Sequence, residues 1–162
     1  ADEKGEDYTD NGERAIFFAR GVLETVKKLR WTPDLIICQG WISAVVPFYI
    51  KKAYYEEPSF ANSKVITALY ENKLQNNLGD HFKQFVEYKD AKSDLLKKYD
   101  ENFDFRELGK LAIDYSDGII EAGNNVNEEL LNYTKDRKLP ILSYSSEDYG
   151  KHYIDFFNKI IG

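Results

Sequence analysis

Three short runs, Leu35-Ile36-Ile37-Cys38, Lys64-Val65-Ile66-Thr67-Ala68-Leu69-Tyr70 and Gly118-Ile119-Ile120, stand between segments of helical periodicity. Apolarity in the first is continuous rather than alternating, which predicts a strand covered on both faces, as in a parallel sheet. The second is rich in β-branched residues and the third is a short strand candidate. Strands that alternate with helices call for right-handed parallel crossovers and an α/β sheet. With 162 residues, 43% of them hydrophobic, the chain holds enough apolar surface for one core. A single domain over residues 1–162 is expected.

The segments between the strands read as helices. Over 11–30, Ala15, Phe18, Val22, Val26 and Leu29 form a stripe flanked by Ile16, Ala19 and Leu23. Glu24 and Lys28 lie on its polar side in the favourable acid-first order. Gln39-Gly40 turns the chain out of the first strand into a largely buried helix over 41–55. Pro47 fits only if that helix starts near Ala44 or kinks. Residues 71–101 form an irregular or loosely helical excursion, part of it mobile. A helix over 103–115 follows, with Phe105, Leu108, Ala112 and Tyr115 in its stripe. Asn127 is a candidate N-cap for a helix to about Lys135, with Glu128 and Glu129 in the first turn. Pro140-Ile141-Leu142 is one more strand candidate. Ser146, with Glu147 and Asp148, opens a last helix that turns Tyr149, Tyr153, Phe156, Phe157 and Ile160 inward.

Charge narrows the partners. Twenty-two Lys and Arg against 28 Asp and Glu leave −6, which attracts neither a phosphate backbone nor an anionic membrane. No nucleic acid and no membrane partner is expected, and no run approaches the roughly 20 apolar residues of a membrane span. The single cysteine, Cys38, has no internal disulfide partner, so a reducing, cytoplasmic compartment is the default. Methionine is absent and only three or four strands are visible. Both features predict a piece of a larger domain, whereas the amphipathic last helix, ending two residues before the chain does, reads as a natural terminus.

In open α/β sheets ligands sit beyond the carboxyl ends of the strands. The turns to examine are therefore Gln39-Gly40-Trp41, Tyr70-Glu71-Asn72 and Glu121-Ala122-Gly123-Asn124. None carries a dinucleotide or P-loop motif. No cofactor is expected and no metal, because His81 and His152 have no ligand at metal spacing. Cys38 reads as a small buried hydrophobe, and Ser43, Ser145 and Ser146 as helix caps. Two roles are open for Trp41: an anchor of helix on sheet, or a platform on which a sugar or base stacks. The same choice holds for Tyr54 and Tyr55, with packing favoured.

The stretch Glu13-Arg-Ala-Ile-Phe-Phe-Ala-Arg-Gly-Val-Leu-Glu, followed by Pro33-Asp-Leu-Ile-Ile-Cys-Gln-Gly-Trp-Ile-Ser-Ala-Val-Val-Pro, resembles the N-terminal catalytic domain of bacterial glycogen and plant starch synthases. That family has P-D-I/V-I/V-H-x-H-D-W-H here. Lys64 to Tyr70 falls where its next strand ends T-I-H-N, Lys110-Leu-Ala-Ile-Asp-Tyr-Ser-Asp-Gly-Ile-Ile is similar to K-x-G-I-x-Y-A-D-A-V, and Val126-Asn-Glu-Glu-Leu takes the place of the next motif. The resemblance implies a Rossmann-like three-layer sandwich, part of the N-terminal domain of a GT-B glycosyltransferase. Such enzymes move glucose from ADP- or UDP-glucose to an α-1,4-glucan. It also implies substrate-binding positions at Gln39, Gly40, Trp41, Tyr70 and Glu71.

The departures bear on catalysis. The family's H-D-W-H reads Gln39-Gly40-Trp41-Ile42, so the histidine that faces the glucosyl group is replaced by isoleucine, and I-H-N reads Leu69-Tyr70-Glu71. The glycine-rich K-x-G-G-L loop and the nucleotide-binding domain have no counterpart in these residues. No catalytic residue is assigned, and the isolated chain is expected not to transfer glucose. Three readings stand at this point: part of a glucosyltransferase, a degenerate module that binds glucan or protein, and an unrelated α/β interaction domain. A homodimer that covers an exposed edge strand is a further expectation.

Overall fold

A computed structural model describes residues 3–71, 74–145 and 149–162. Four parallel strands, β1 (Leu35–Gln39), β2 (Lys64–Leu69), β3 (Gly118–Glu121) and β4 (Ile141–Leu142), lie side by side in chain order. Helices α1 (Asn11–Lys28), α2 (Val46–Lys52), α3 (Phe82–Phe85), α4 (Phe105–Asp114), α5 (Glu128–Asp136) and α6 (Tyr149–Ile161), with 3-10 turns at Trp41–Ser43 and Ser93–Leu96, complete the described elements. The fold is a Rossmann-like α/β sandwich.

Alternation along the strands separates its two faces. Cys38 and Val65 meet α1, α2 and α4, while Leu69 and Ile119 meet α4 and α5. On the opposite face Ile66, Ala68 and Ile120 pack against Phe156 and Ile160 of α6. Burial on both sides holds for β2 and β3 but not for β1. As an edge strand β1 extends past the cover of α6, and Ile37 is left 37% exposed. The Tyr149 side chain and the capping role expected of Ser146, Glu147 and Asp148 lie outside the described residues.

The helix over 11–30 is present, but its buried line is rotated. Ala15, Ile16, Ala19 and Leu23 are buried, whereas Val22 and Leu29 face water and Phe18 is partly exposed. Small residues decide the rotation, because Gly12, Ala15 and Ala19 let neighbouring backbone come close. A Cβ on Gly12 would sit 2.5 Å from the Leu78 carbonyl oxygen. Glu24 accepts a 2.7 Å hydrogen bond from the buried Tyr54 hydroxyl, which gives Tyr54 a packing role.

The helix over 41–55 is shorter than expected. Trp41–Ser43 form a 3-10 turn, and α2 begins at Val46 with Pro47 in its first turn, where a missing N–H costs nothing. Ser43 is therefore no cap of α2. Its hydroxyl donates to the carbonyls of Gln39 and Gly40 at 2.9 and 3.0 Å. The helix over 103–115 begins at Phe105, capped by Asp104, whose side chain accepts from the N–H groups of Arg106 and Glu107. Asn127 caps α5 through Leu130 N–H.

The excursion over 71–101 is mostly irregular as expected, with one helical turn at Phe82–Phe85 and a 3-10 turn at Ser93–Leu96, and its described apolar residues are firmly packed. Leu74, Leu78, Phe82, Val86, Ala91, Leu96 and Tyr99 are buried in the main core. The buried Lys83 ammonium donates to the Tyr99 carbonyl at 2.8 Å and to Glu101 at 2.9 Å. Leu74, Leu78, Phe82 and Val86 recur every four residues, yet only Phe82–Phe85 of that stretch is α-helical, so the spacing does not reveal the irregular backbone that buries them.

Cys38 is 3% exposed, and burial pushes its thiol up to about 12. It behaves as the small hydrophobe expected. Native chain at about pH 8 should resist a disulfide reagent and label only as it unfolds, followed by release of the coloured thiol. The unfolded thiol ionises near 9.0 while the folded one stays protonated. Above that pH the unfolded state binds fewer protons, so this group's contribution to stability falls as pH rises. Labelling of the native chain as fast as of a denatured control would contradict the burial.

Candidate functional site

Beyond the carboxyl ends of β1 and β2 an apolar cavity of about 70 Å³ opens between the 3-10 turn and α4. Gly40 and Trp41 form one side of its mouth, Tyr70 and Glu71 another, and Phe105, Leu108, Gly109 and Ala112 of α4 the far wall. Each follows from local chain geometry. Gly40, at φ 74° and ψ 165°, occupies backbone space that side-chain-bearing residues rarely adopt, and so reverses the chain directly after β1. Trp41, partly buried against the main core, is thereby both anchor and rim. Tyr70 and Glu71 leave the end of β2 at the same level, because the parallel register places Gln39 beside Ala68.

Polarity inside the cavity is already used. Ser116 donates to the Ala112 carbonyl at 2.7 Å, so its oxygen receives the proton of Thr67 at 2.8 Å. Among the described residues the lining holds no imidazole and no cationic side chain. A volume of about 70 Å³ admits several waters but falls short of the roughly 300 Å³ at which ligand-enclosing sites begin. Trp41 is partly buried at the rim. Tyr70 is 40% exposed there.

Of the five positions singled out in the sequence, Gly40, Trp41, Tyr70 and Glu71 come together. Gln39 does not line the cavity; its side chain is exposed at the end of the edge strand and its carbonyl serves Ser43. The third turn, at Glu121–Asn124, also contributes nothing to the lining, and Asn72 lies outside the described residues. Tyr55 is half exposed at the far end of α2, away from this mouth. The wall residues of α4 were legible as a helical stripe but not as a site, because periodicity says which face is buried and not where that face ends. His81 and His152 are exposed. Among the described residues no three His, Cys, Asp or Glu side chains gather to hold a metal, and no helix is long and apolar enough to cross a membrane.

Comparison with known proteins gives this geometry a family. The family model described as the starch synthase catalytic domain matches residues 1–141. A glycogen synthase of Clostridium perfringens is 32% identical over 124 residues, covering 75% of this chain and 25% of the relative. One of Vibrio parahaemolyticus is 38% identical over 68 residues, 42% of this chain and 14% of the relative. A third, of Chlorobium chlorochromatii, is 34% identical over 83 residues, 51% of this chain and 17% of the relative. The matched stretches thus span a quarter or less of these relatives. No solved structure matches the chain. A parallel α/β sheet with a glycine turn and a tryptophan at its strand ends, matched to the family model over residues 1–141, identifies the chain as a member of the starch synthase catalytic domain family.

Proposed function

We propose that this chain is the glucan-handling part of a GT-B glucosyltransferase, a Rossmann-like domain that holds an α-1,4-glucan and does not by itself transfer glucose from ADP- or UDP-glucose. The observation that carries the reading is the rim itself: Gly40, Trp41, Tyr70 and Glu71 together line a cavity in which, among the described residues, there is no imidazole and no cation. An indole and a phenol suit the apolar faces of neutral sugar rings. Among the described residues no Lys, Arg or His side chain lines this mouth to meet the charge of a phosphorylated donor. Where the family has cleft histidines, Ile42 and Tyr70 stand, and loss of such polar contacts to the reacting sugar removes orders of magnitude in rate.

The purified chain, given ADP-glucose or UDP-glucose with glycogen, should release nucleotide no faster than a blank. Release well above the blank would overturn the claim that it is inactive alone. Native gels cast with glycogen should retard the chain, and Trp41→Ala should migrate faster than the wild type. Equal migration with and without glycogen would remove the glucan reading and favour a protein-interaction role for the same fold.

A further inference from the structure

Beside the apolar cavity, and sharing Phe105 with it, lies a second concavity of about 340 Å³ with a mainly polar lining. Five side-chain amides surround it: Gln75, Asn76 and Asn77 from the excursion, Asn102 just before α4, and Asn127 at the start of α5. Its volume reaches the range of small-molecule sites, which the neighbouring cavity does not.

The frame is built before any ligand arrives. The Asp7 carboxylate accepts from the N–H groups of Gln75 and Asn76 at 2.6 and 2.8 Å. Asn77 donates to the Asn102 side-chain oxygen at 2.5 Å and accepts from Gly79 N–H at 3.1 Å, and the Leu78 N–H donates to the Phe103 carbonyl at 3.0 Å. Two walls from distant parts of the sequence are thus fixed to each other.

These internal bonds consume some amide groups and leave others. Asn127 uses its oxygen on Leu130 N–H, Gln75 its NH2 on the Gly5 carbonyl, and Asn102 its oxygen on Asn77. Among the described residues the NH2 groups of Asn102 and Asn127, the Gln75 oxygen and the whole Asn76 amide have no protein hydrogen-bond partner. The groove therefore presents donors and acceptors in mixture. A hydroxyl, itself donor and acceptor, matches such a lining.

Charge excludes the main competitor. Among the described residues Arg106 is the single cation of the lining, and it is already engaged by Asp104 at 2.9 Å and Glu129 at 3.5 Å. The Asp104 carboxylate sits in the same lining and repels a phosphate. We infer that this amide groove binds the hydroxyls of an uncharged sugar residue, and that Phe105 joins it to the Trp41 rim so that neighbouring residues of one glucan chain occupy both. The inference deepens the glucan reading and rests on it.

Titration of the isotope-labelled chain with maltoheptaose separates the two. The NH2 resonances of Asn76, Asn102 and Asn127 should shift together with the Trp41 indole. In Asn76→Ala/Asn102→Ala, two exposed positions, the dissociation constant should rise at least roughly tenfold. Shifts confined to the Trp41 rim, or unchanged affinity in the double variant, would overturn the groove and leave the glucan reading intact. No shift at either place would overturn both. Movement of the groove amides with inorganic phosphate and not with maltoheptaose would assign the groove to an anion and overturn the inference.

Discussion

Asp114→Ala should destabilise the chain by about 3 kcal/mol, read as a lower urea midpoint at unchanged slope. The Asp114 side chain is 3% exposed at the end of α4. Its carboxylate accepts from Tyr99 at 2.6 Å and Tyr133 at 3.1 Å, and pairs with Lys98 at 2.6 Å and Arg137 at 2.9 Å. Burial first, and then this carboxylate, raise the Tyr99 phenol far above its ordinary value, so it remains the donor. Lys98 and Arg137 are half exposed and can turn to water, so their loss alone adds little. The cost comes from the tyrosine hydroxyls, which are left with buried protons and no acceptor. Asp114→Asn retains one carbonyl acceptor and should lose about half as much. A loss below about 1 kcal/mol for Asp114→Ala would mean that the network contributes no more than an exposed ion pair.

This network also shows where sequence reading stops. Asp114 sits in the sequence within a motif, Lys110 to Ile120, that aligned with the family, yet nothing in that alignment says that its partners come from residues 98, 99, 133 and 137. The strands were legible: β-branched residues marked Lys64 to Tyr70, and the continuous apolar run Leu35 to Cys38 marked a strand correctly although β1 is not covered on both faces. The glycine turn and Trp41 were legible because Gly40 interrupts an otherwise apolar run at a strand end. The rotation of α1 was not. Val22 and Ala19 lie only about 60° apart around the helix, and the choice between them depends on how closely Leu78 and Phe82 approach Gly12 from a distant, mostly irregular segment. The amide groove depends on the same excursion, and the far wall of the cavity on where α4 docks. Both join residues from about 25 to about 90 positions apart, and no local pattern encodes such distances.

Gly40→Ala should lose about 1–3 kcal/mol of stability and at least roughly tenfold in maltoheptaose affinity. No atom lies within 4 Å of where its Cβ would stand, so the penalty is torsional and not a clash. Relief requires the peptide to leave φ 74°, which breaks the paired hydrogen bonds of Ser43 to the Gln39 and Gly40 carbonyls and swings Trp41 off the rim. Gly21→Ala supplies the contrast. Gly21 lies in the exposed middle of α1 with a helical backbone and open space around its Cα, so alanine there should stabilise by up to about 1 kcal/mol and leave binding unchanged. If Gly40→Ala binds maltoheptaose as the wild type does, the turn does not set the position of Trp41, and the indole is held only by its packing against the core. If stability falls and affinity falls with it while Gly21→Ala does neither, the strained turn after β1 is what presents the aromatic rim to a ligand.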